Sequence, residues 1–359
     1  MTNKSNVYGV DLDQYALNQY PDYRPGGLPP DLTKIMNTSY LQEFESIWGR
    51  QWGAMGIGKL REVGLCKPTE WESNKFFTQD PNFFLLRHAG GNIDYREMVK
   101  SQDQYAEILT KNGVKINWME YENPIGAYGP MRKLFVIEEV RFVRGGAIVP
   151  RFGHASFKRG LEREFTRFVN DMGCPVLLTV HGQGICEVAP MFVPLLDDLW
   201  VGAISCATNQ EGIDQVLPVL KSAGVVETHI MQLQTIMDSF SSGGEFHTDM
   251  IIHPVAERMA VIYPGALPWT TYTWLKDLGY KLIEIPADEQ KTCYPANLIV
   301  LEPGKVIMNA RAEKTIAALR KEGIEVIAFD SGGIMQGGTN GIKCITMEIL
   351  RDDGPRYYK

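Results

Sequence analysis

Apolar and polar positions along this chain switch between a strand-like and a helix-like period, and the switch repeats. It is clearest over residues 297–330. NLIVLEPGKVIMNA reads as two apolar runs around a Pro-Gly turn, RAEKTIAALRKEG carries apolar positions at helical spacing and closes on Gly, and IEVIAFD is another short β-rich run. The unit is strand, strand, helix, strand. It recurs as RMAVIYPGALP, TTYTWLKDLG, YKLIEIP over 258–286 and as LWVGAISCATN, QEGIDQVLPVLKSAG, VVETHIMQL over 199–233. A looser copy is RFVRGGAIVP, SFKRGLEREFTRFVNDMG, CPVLLTV over 141–180, and a fifth joins LREVGLCKP across an insertion to QDQYAEILTKNG and VKINWM over 60–119.

One such unit cannot bury its apolar face alone, so five of them imply a repeat architecture in which neighbours cover one another. A doubly wound α/β sheet also alternates strands and helices. Two strands per helix favour the alternative, a closed ring of five small sheets. Ahead of the units, PDYRPGGLPPDL and the helix-like MNTSYLQEFESIW read as an N-terminal arm. The expected organisation is an arm over residues 1–57 and a single domain over 58–359.

The composition is that of a globular protein, 44% hydrophobic and 22% charged over 359 residues. A formal charge of −7 with no Lys/Arg run argues against nucleic acid and suits a small cation. No stretch approaches the roughly 20 apolar residues that cross a bilayer, and the first residues lack a basic start and apolar run. No membrane association and a cytoplasmic location are therefore expected. The cysteines, Cys66, Cys174, Cys186, Cys206, Cys293 and Cys344, are scattered singly with no CxxC pair, against both a disulfide scaffold and a structural zinc site.

Four places could carry chemistry. In SGGIMQGGTNGIKCITMEILRD (331–352), Cys344 follows a loop with five glycines and precedes an apolar strand; such a loop lets backbone approach a ligand and presents the next side chain at a sheet edge. A lone Cys at a strand end is otherwise a packing residue. In SSGGEFHTDMIIHP (241–254), His247 and Asp249 are two apart in an extended-looking segment, hence on one face of a strand, where a His and a carboxylate can move protons and hold a cation. Adding His253 would give a metal set, but further ligands at metal spacing are missing, so neither a metal nor another cofactor is expected. FVIEEVRFVRGG (135–146) places Glu138 and Glu139 in a strand-like apolar run, where alternation sends one of them inward. Glu187, in HGQGICEVAPMFVPL, stands just ahead of another apolar strand.

Taken together, Cys344 in GGTNGIKCITMEILRD, the HTD at 247–249, Glu187, the SCATN turn at 205–209 and the five-unit pattern resemble the arginine deiminase and amidinotransferase superfamily, the penteins, over roughly residues 58–355. The resemblance implies a pentein-type α/β propeller, five ββαβ-like units in a pseudo-fivefold ring. It also implies Cys344 as the nucleophile on a guanidinium carbon, His247 as general acid and base, Asp249 gripping the guanidinium nitrogens, and Glu187 as the acid of the family's Glu-Gly-Gly-Asp motif, here EVAP. Counting back from Gly145, Glu138 stands where the deiminase branch has a substrate-binding Asp. Ala207 stands where arginine-handling members carry an Arg that clamps the substrate carboxylate, which points away from free arginine unless Arg144, Arg151 or Arg159 supplies a clamp.

A bound cation would lower the thiol pKa that surrounding carboxylates raise, so the substrate helps to ionise its own attacker. The expected activity is hydrolysis of a carbon–nitrogen bond of a guanidine or amidine through a covalent amidino-thioether. Passing the amidino group to an amine shares that first half-reaction, and a non-catalytic binding protein on the same fold is the competing class. The expected partner is a small cationic guanidine- or amidine-like substrate, and a ring with an arm is also compatible with homo-oligomers.

Overall fold

The computed structural model describes residues 39–41, 49–68, 94–120, 139–153, 160–234, 245–335 and 341–358. The chain divides into two compact units, Met1–Gln51 and Trp52–Lys359. All the elements below belong to the second.

Five three-stranded sheets make up that unit. Strands β1 (Leu60–Cys66) and β2 (Lys115–Met119) are parallel and are joined through helix α1 (Tyr95–Lys111). The second sheet holds β3 (Arg141–Val143), β4 (Gly146–Val149) and β5 (Val176–Thr179), with α2 (Leu161–Asp171) before its last strand. A one-turn helix, α3 (Val188–Met191), leads straight into β6 (Phe192–Leu196), followed by β7 (Leu199–Ile204), α4 (Gln210–Ser222) and β8 (Glu227–Gln232). The fourth sheet comprises β9 (Ile252–Ala256), β10 (Met259–Ile262) and β11 (Lys281–Glu284), with α5 (Trp269–Asp277) crossing over. After α6 (Ala287–Cys293) come β12 (Ile299–Glu302), β13 (Lys305–Asn309), α7 (Glu313–Lys321) and β14 (Glu325–Phe329). In each sheet the first pair is antiparallel and the second parallel, as a hairpin followed by a helical crossover dictates.

The first unit departs from the local pattern. Its antiparallel partner is not a neighbour in sequence but β15 (Met347–Arg351), which pairs with β1 in the register Leu60↔Arg351. Sequence reading found only one strand ahead of that unit's helix; the missing one arrives from the other end of the ring. The result is a pentein-type pseudo-fivefold α/β fold.

Each crossover helix stops in the same way. Gly113, Gly173, Gly224, Gly279 and Gly323 all have positive φ, between 73° and 102°, just past the last turns of α1, α2, α4, α5 and α7. This is the left-handed stop that glycine adopts at no steric cost, and it returns the chain to the parallel strand. Starts are more varied: Asp94 caps α1 by accepting from Arg96 N and Glu97 N, and Asn209 caps α4 by accepting from Gly212 N. The buried face of α1, Met98, Ser101, Gln102, Tyr105, Ala106 and Leu109, follows helical spacing.

Buried guanidinium groups tie the sheets together. Arg141 of β3 donates to Ala189 O and Phe192 O of the third unit, at 2.7 and 2.9 Å. Arg351 of β15 donates to Val300 O of β12 and to Gly58 O, at 2.7 and 2.8 Å. Arg351 also meets Glu348, and Lys343 lies 4.0 Å from the same carboxylate. Burying these charges is tolerable because the guanidinium groups donate to carbonyls of neighbouring sheets and Arg351 and Lys343 share a buried carboxylate.

Candidate active site

Glu187 is fully buried at the start of α3, where its backbone is held from both sides. Its N–H donates to Ala207 O at 3.1 Å, and the preceding Cys186 exchanges two backbone hydrogen bonds with Arg151. The 205–208 turn is itself stapled to the next sheet, since Ser205 Oγ donates to Phe246 O at 2.7 Å. Thr248 Oγ1 donates to Met191 O at 2.8 Å, a second staple between α3 and the HTD segment.

These constraints bring Glu187 Oε2 to 2.9 Å from His247 Nε2. With Glu187 ionised, a carboxylate can only accept, so Nε2 carries the hydrogen and Nδ1 is the ring nitrogen left to exchange protons. Phe246 lies edge-on to the imidazole, with ring centroids 4.4 Å apart.

The HTD segment is not a strand. His247 is extended, but Thr248–Met250 forms a 3-10 turn closed by Met250 N donating to His247 O, and β9 begins only at Ile252. Residues two apart therefore do not share a face by strand alternation; Asp249 lies on the tight turn that follows His247, and both are buried. Of the acids at 138 and 139, the one that is described, Glu139, also falls outside a strand. Glu139 is fully buried on the turn before β3, its carbonyl accepting from Ala189 N, and Glu138 lies outside the described residues.

Cys344 is buried on a turn three residues before β15, among apolar neighbours that include Ile342 and Ile345. Asn297 Nδ2 donates to its Sγ at 3.2 Å. Asn297 follows α6, and Gln290 of that helix donates to Met250 O at 3.0 Å, so one short helix links the Cys344 turn to the HTD turn. Tyr294, which ends α6, takes a left-handed conformation, and burial together with Glu245 and Cys344 pushes its phenol pKa up. Asn297 carries no sequence signature; an Asn ahead of an apolar run reads as a turn residue.

Two further cysteines are held as thiols by their surroundings. Burial pushes Cys186 up to about 12 and Cys293 up to about 11. His253 stands apart from His247, its Nδ1 on Pro254 O and its charge opposed by burial and by Lys343. Among the described residues, no three His, Cys, Asp or Glu side chains gather as a metal site. No disulfide joins the six cysteines, and no described helix is long and apolar enough to cross a membrane.

Ala207 is fully buried, its carbonyl accepting from Glu187 N, and its methyl side chain offers no guanidinium clamp. Arg144 is turned to Ala223 O and Asp353, and Arg151 to Gly184 O; Arg159 lies outside the described residues.

A model of the arginine deiminase family matches residues 209–351. The chain as a whole is 30% identical over 356 residues to a 2-nitroimidazole nitrohydrolase from Mycobacterium sp., covering 95% of this chain and 93% of that one. It belongs to the pentein superfamily. A second pentein relative, arginine deiminase of Mycoplasma capricolum, is 42% identical over 57 residues, 16% of this chain and 14% of its own. Among solved structures, the pentein fold is shared with dimethylarginine dimethylaminohydrolase from Pseudomonas aeruginosa (TM-score 0.62, 19% identity, 80% of this chain and 99% of that one). It is shared too with an amidinotransferase of saxitoxin biosynthesis from Microseira wollei (TM-score 0.59, 15% identity, 85% and 99%). As a pentein enzyme, the protein is a hydrolase of carbon–nitrogen bonds at a guanidine- or amidine-type carbon.

Proposed function

We propose that Cys344 is the nucleophile, His247 the proton carrier, Glu187 the acid that orients and charges His247, and Asp249 the group that holds substrate nitrogens, on a substrate whose reacting carbon is a planar amidine carbon inside a ring, as in a 2-nitroimidazole. The observation that carries the mechanism is the buried Glu187–His247 pair at 2.9 Å, on the same tight turn as Asp249. A buried imidazole with an ionised partner is poised to take up and release a proton.

The substrate class rests on two supports. A relative matched over nearly the full length of both chains is a 2-nitroimidazole nitrohydrolase, whereas the arginine deiminase match spans 57 residues. The carboxylate clamp is also missing at Ala207, so an amino-acid substrate lacks its anchor. C2 of a 2-nitroimidazole bears three nitrogens, two in the ring and one in the nitro group, and so presents the same connectivity as a guanidine carbon.

In the first step, thiolate Sγ adds to that carbon, the C–N bond to the nitro group breaks with its electron pair, and nitrite leaves. A ring thioether remains on Cys344. In the second, His247 takes a proton from water, hydroxide adds to the same carbon, and the C–S bond breaks to return the thiolate. One water is consumed; the ring leaves as its 2-oxo product with nitrite and a proton. No cofactor enters the balance, and separate thiols suit a cytoplasmic, reducing setting.

The test is nitrite release from 2-nitroimidazole by the full chain, with intact-mass analysis of the enzyme during turnover. Nitrite accompanied by a covalent increment that Cys344→Ser lacks is the expected result. Turnover of free arginine to citrulline and ammonia in preference would overturn the substrate assignment; release that waits for an added amine would make the enzyme a transferase.

A further inference from the structure

Asn297 takes no part in the steps above, yet its side chain is built into the site more tightly than chain geometry requires. It is 2% exposed. Its backbone N–H donates to Tyr294 O at 2.9 Å, across a turn whose first residue, Tyr294, sits at φ 45° and ψ 69°. A non-glycine residue held there is strained and persists only where the surroundings over-determine it.

The orientation of the amide is fixed by a second contact. Lys343 N–H donates to Asn297 Oδ1 at 3.0 Å, so the oxygen faces the backbone and the NH₂ group must face Cys344 Sγ, 3.2 Å away. The loop comes this close only because residue 341 is glycine: a Cβ there would lie 2.7 Å from Asn297 Oδ1. An N–H donor aimed at sulfur favours the anion over the thiol, more strongly in a buried site than in water. The carboxylates that the proposed mechanism assigns to the site, Glu187 and Asp249, are buried and would act in the opposite sense on a nearby thiol. A neutral donor offsets them without adding a cation that would repel a nitrogen-rich substrate.

We infer that Asn297 is a positioning residue of the reaction, which aims Cys344 Sγ and holds it as thiolate before substrate arrives. The inference rests on the reading of Cys344 as nucleophile. Its test does not use turnover: the pH profile of Cys344 alkylation by iodoacetamide is followed by peptide mass spectrometry on the full chain without substrate. Asn297→Asp keeps the acceptor for Lys343 N–H and loses the donor to sulfur. Its profile is expected to move up by at least about one pH unit, slowing alkylation near neutral pH about tenfold while the plateau at high pH is unchanged.

A wild-type midpoint in Asn297→Asp overturns the proposal and leaves Asn297 as a loop anchor. Alkylation of Cys186 and Cys293 reports unfolding; if Asn297→Asp unfolds, Asn297→Ser, which keeps a hydroxyl donor, is compared with Asn297→Ala, and equal midpoints in those two overturn it equally. Full turnover by Cys344→Ala would instead sink the nucleophile reading, whatever the alkylation profiles show.

Discussion

Glu187 and His247 are joined by a 2.9 Å hydrogen bond although 60 residues separate them in sequence, and their side chains are 0% and 6% exposed. Burial keeps the pair from bulk water, so the hydrogen bond helps set the direction of both side chains.

His247→Asn is therefore expected to lower kcat by about 10²–10⁴-fold, the usual span of a lost acid–base group. Glu187→Gln preserves the shape of the pair and removes its charge. It is expected to lower kcat by about tenfold or more with a smaller effect on KM, and a kcat within twofold of wild type would refute the charging role.

The thiols should separate by reactivity. Native protein treated with iodoacetamide is expected to be labelled at Cys344 and not at Cys186 or Cys293, whose pKa values burial raises to about 12 and about 11. Peptide mapping before and after guanidinium unfolding checks this, and native labelling of Cys186 would contradict it.

Stability should fall with pH in two windows. Burial, then Lys343, lowers His253 to about 4 from 6.5, with Glu348 and Arg351 also facing it. The unfolded chain then binds the proton first, so folding is weakened progressively as pH drops from 6.5 to about 4, by about 3 kcal/mol at the lower end. Burial alone would raise Glu348, but Arg351, Lys343 and Arg141 overcome it and hold its carboxyl well below the usual range; its contribution is complete above 4.5 and is lost below that. Urea titrations of His253→Gln should lose the upper window and keep the lower.

Arg351→Ala should destabilise the fold by about 3–5 kcal/mol, because Glu348 is left buried without its closest cation and two carbonyls lose a donor. Glu348→Gln with Arg351→Met should cost less than Arg351→Ala alone. Equilibrium urea unfolding measures both, and equal losses would contradict the account.

Much of the ring was legible because its unit is local: two apolar runs, an amphipathic helix and a stopping glycine lie within a few dozen residues, and residues 297–330 follow that order without exception, whereas over 258–286 and 199–233 only one strand precedes the helix and its antiparallel partner, β9 or β6, lies just upstream. What was not legible is non-local or depends on a turn. The pairing of β15 with β1 has no sequence signal beyond an apolar run after a glycine loop. His247 and Asp249 read as one strand face because extended spacing and a 3-10 turn look alike over three residues. Asn297 was invisible, since its partners, Lys343 and Cys344, are 46 and 47 residues away.

The closure of the ring also sets a timetable. Arg61 and Asp352, joined by two hydrogen bonds, are 291 residues apart, and Cys344 sits just before the strand that makes this junction. During synthesis the other four blades can collapse as they emerge, but the first blade waits for β15, and long-range pairing of this kind is the slow, entropically expensive part of folding. The proposed nucleophile, Cys344, follows the other four blades in the chain, so the proposed site is complete only once the last sheet zips shut.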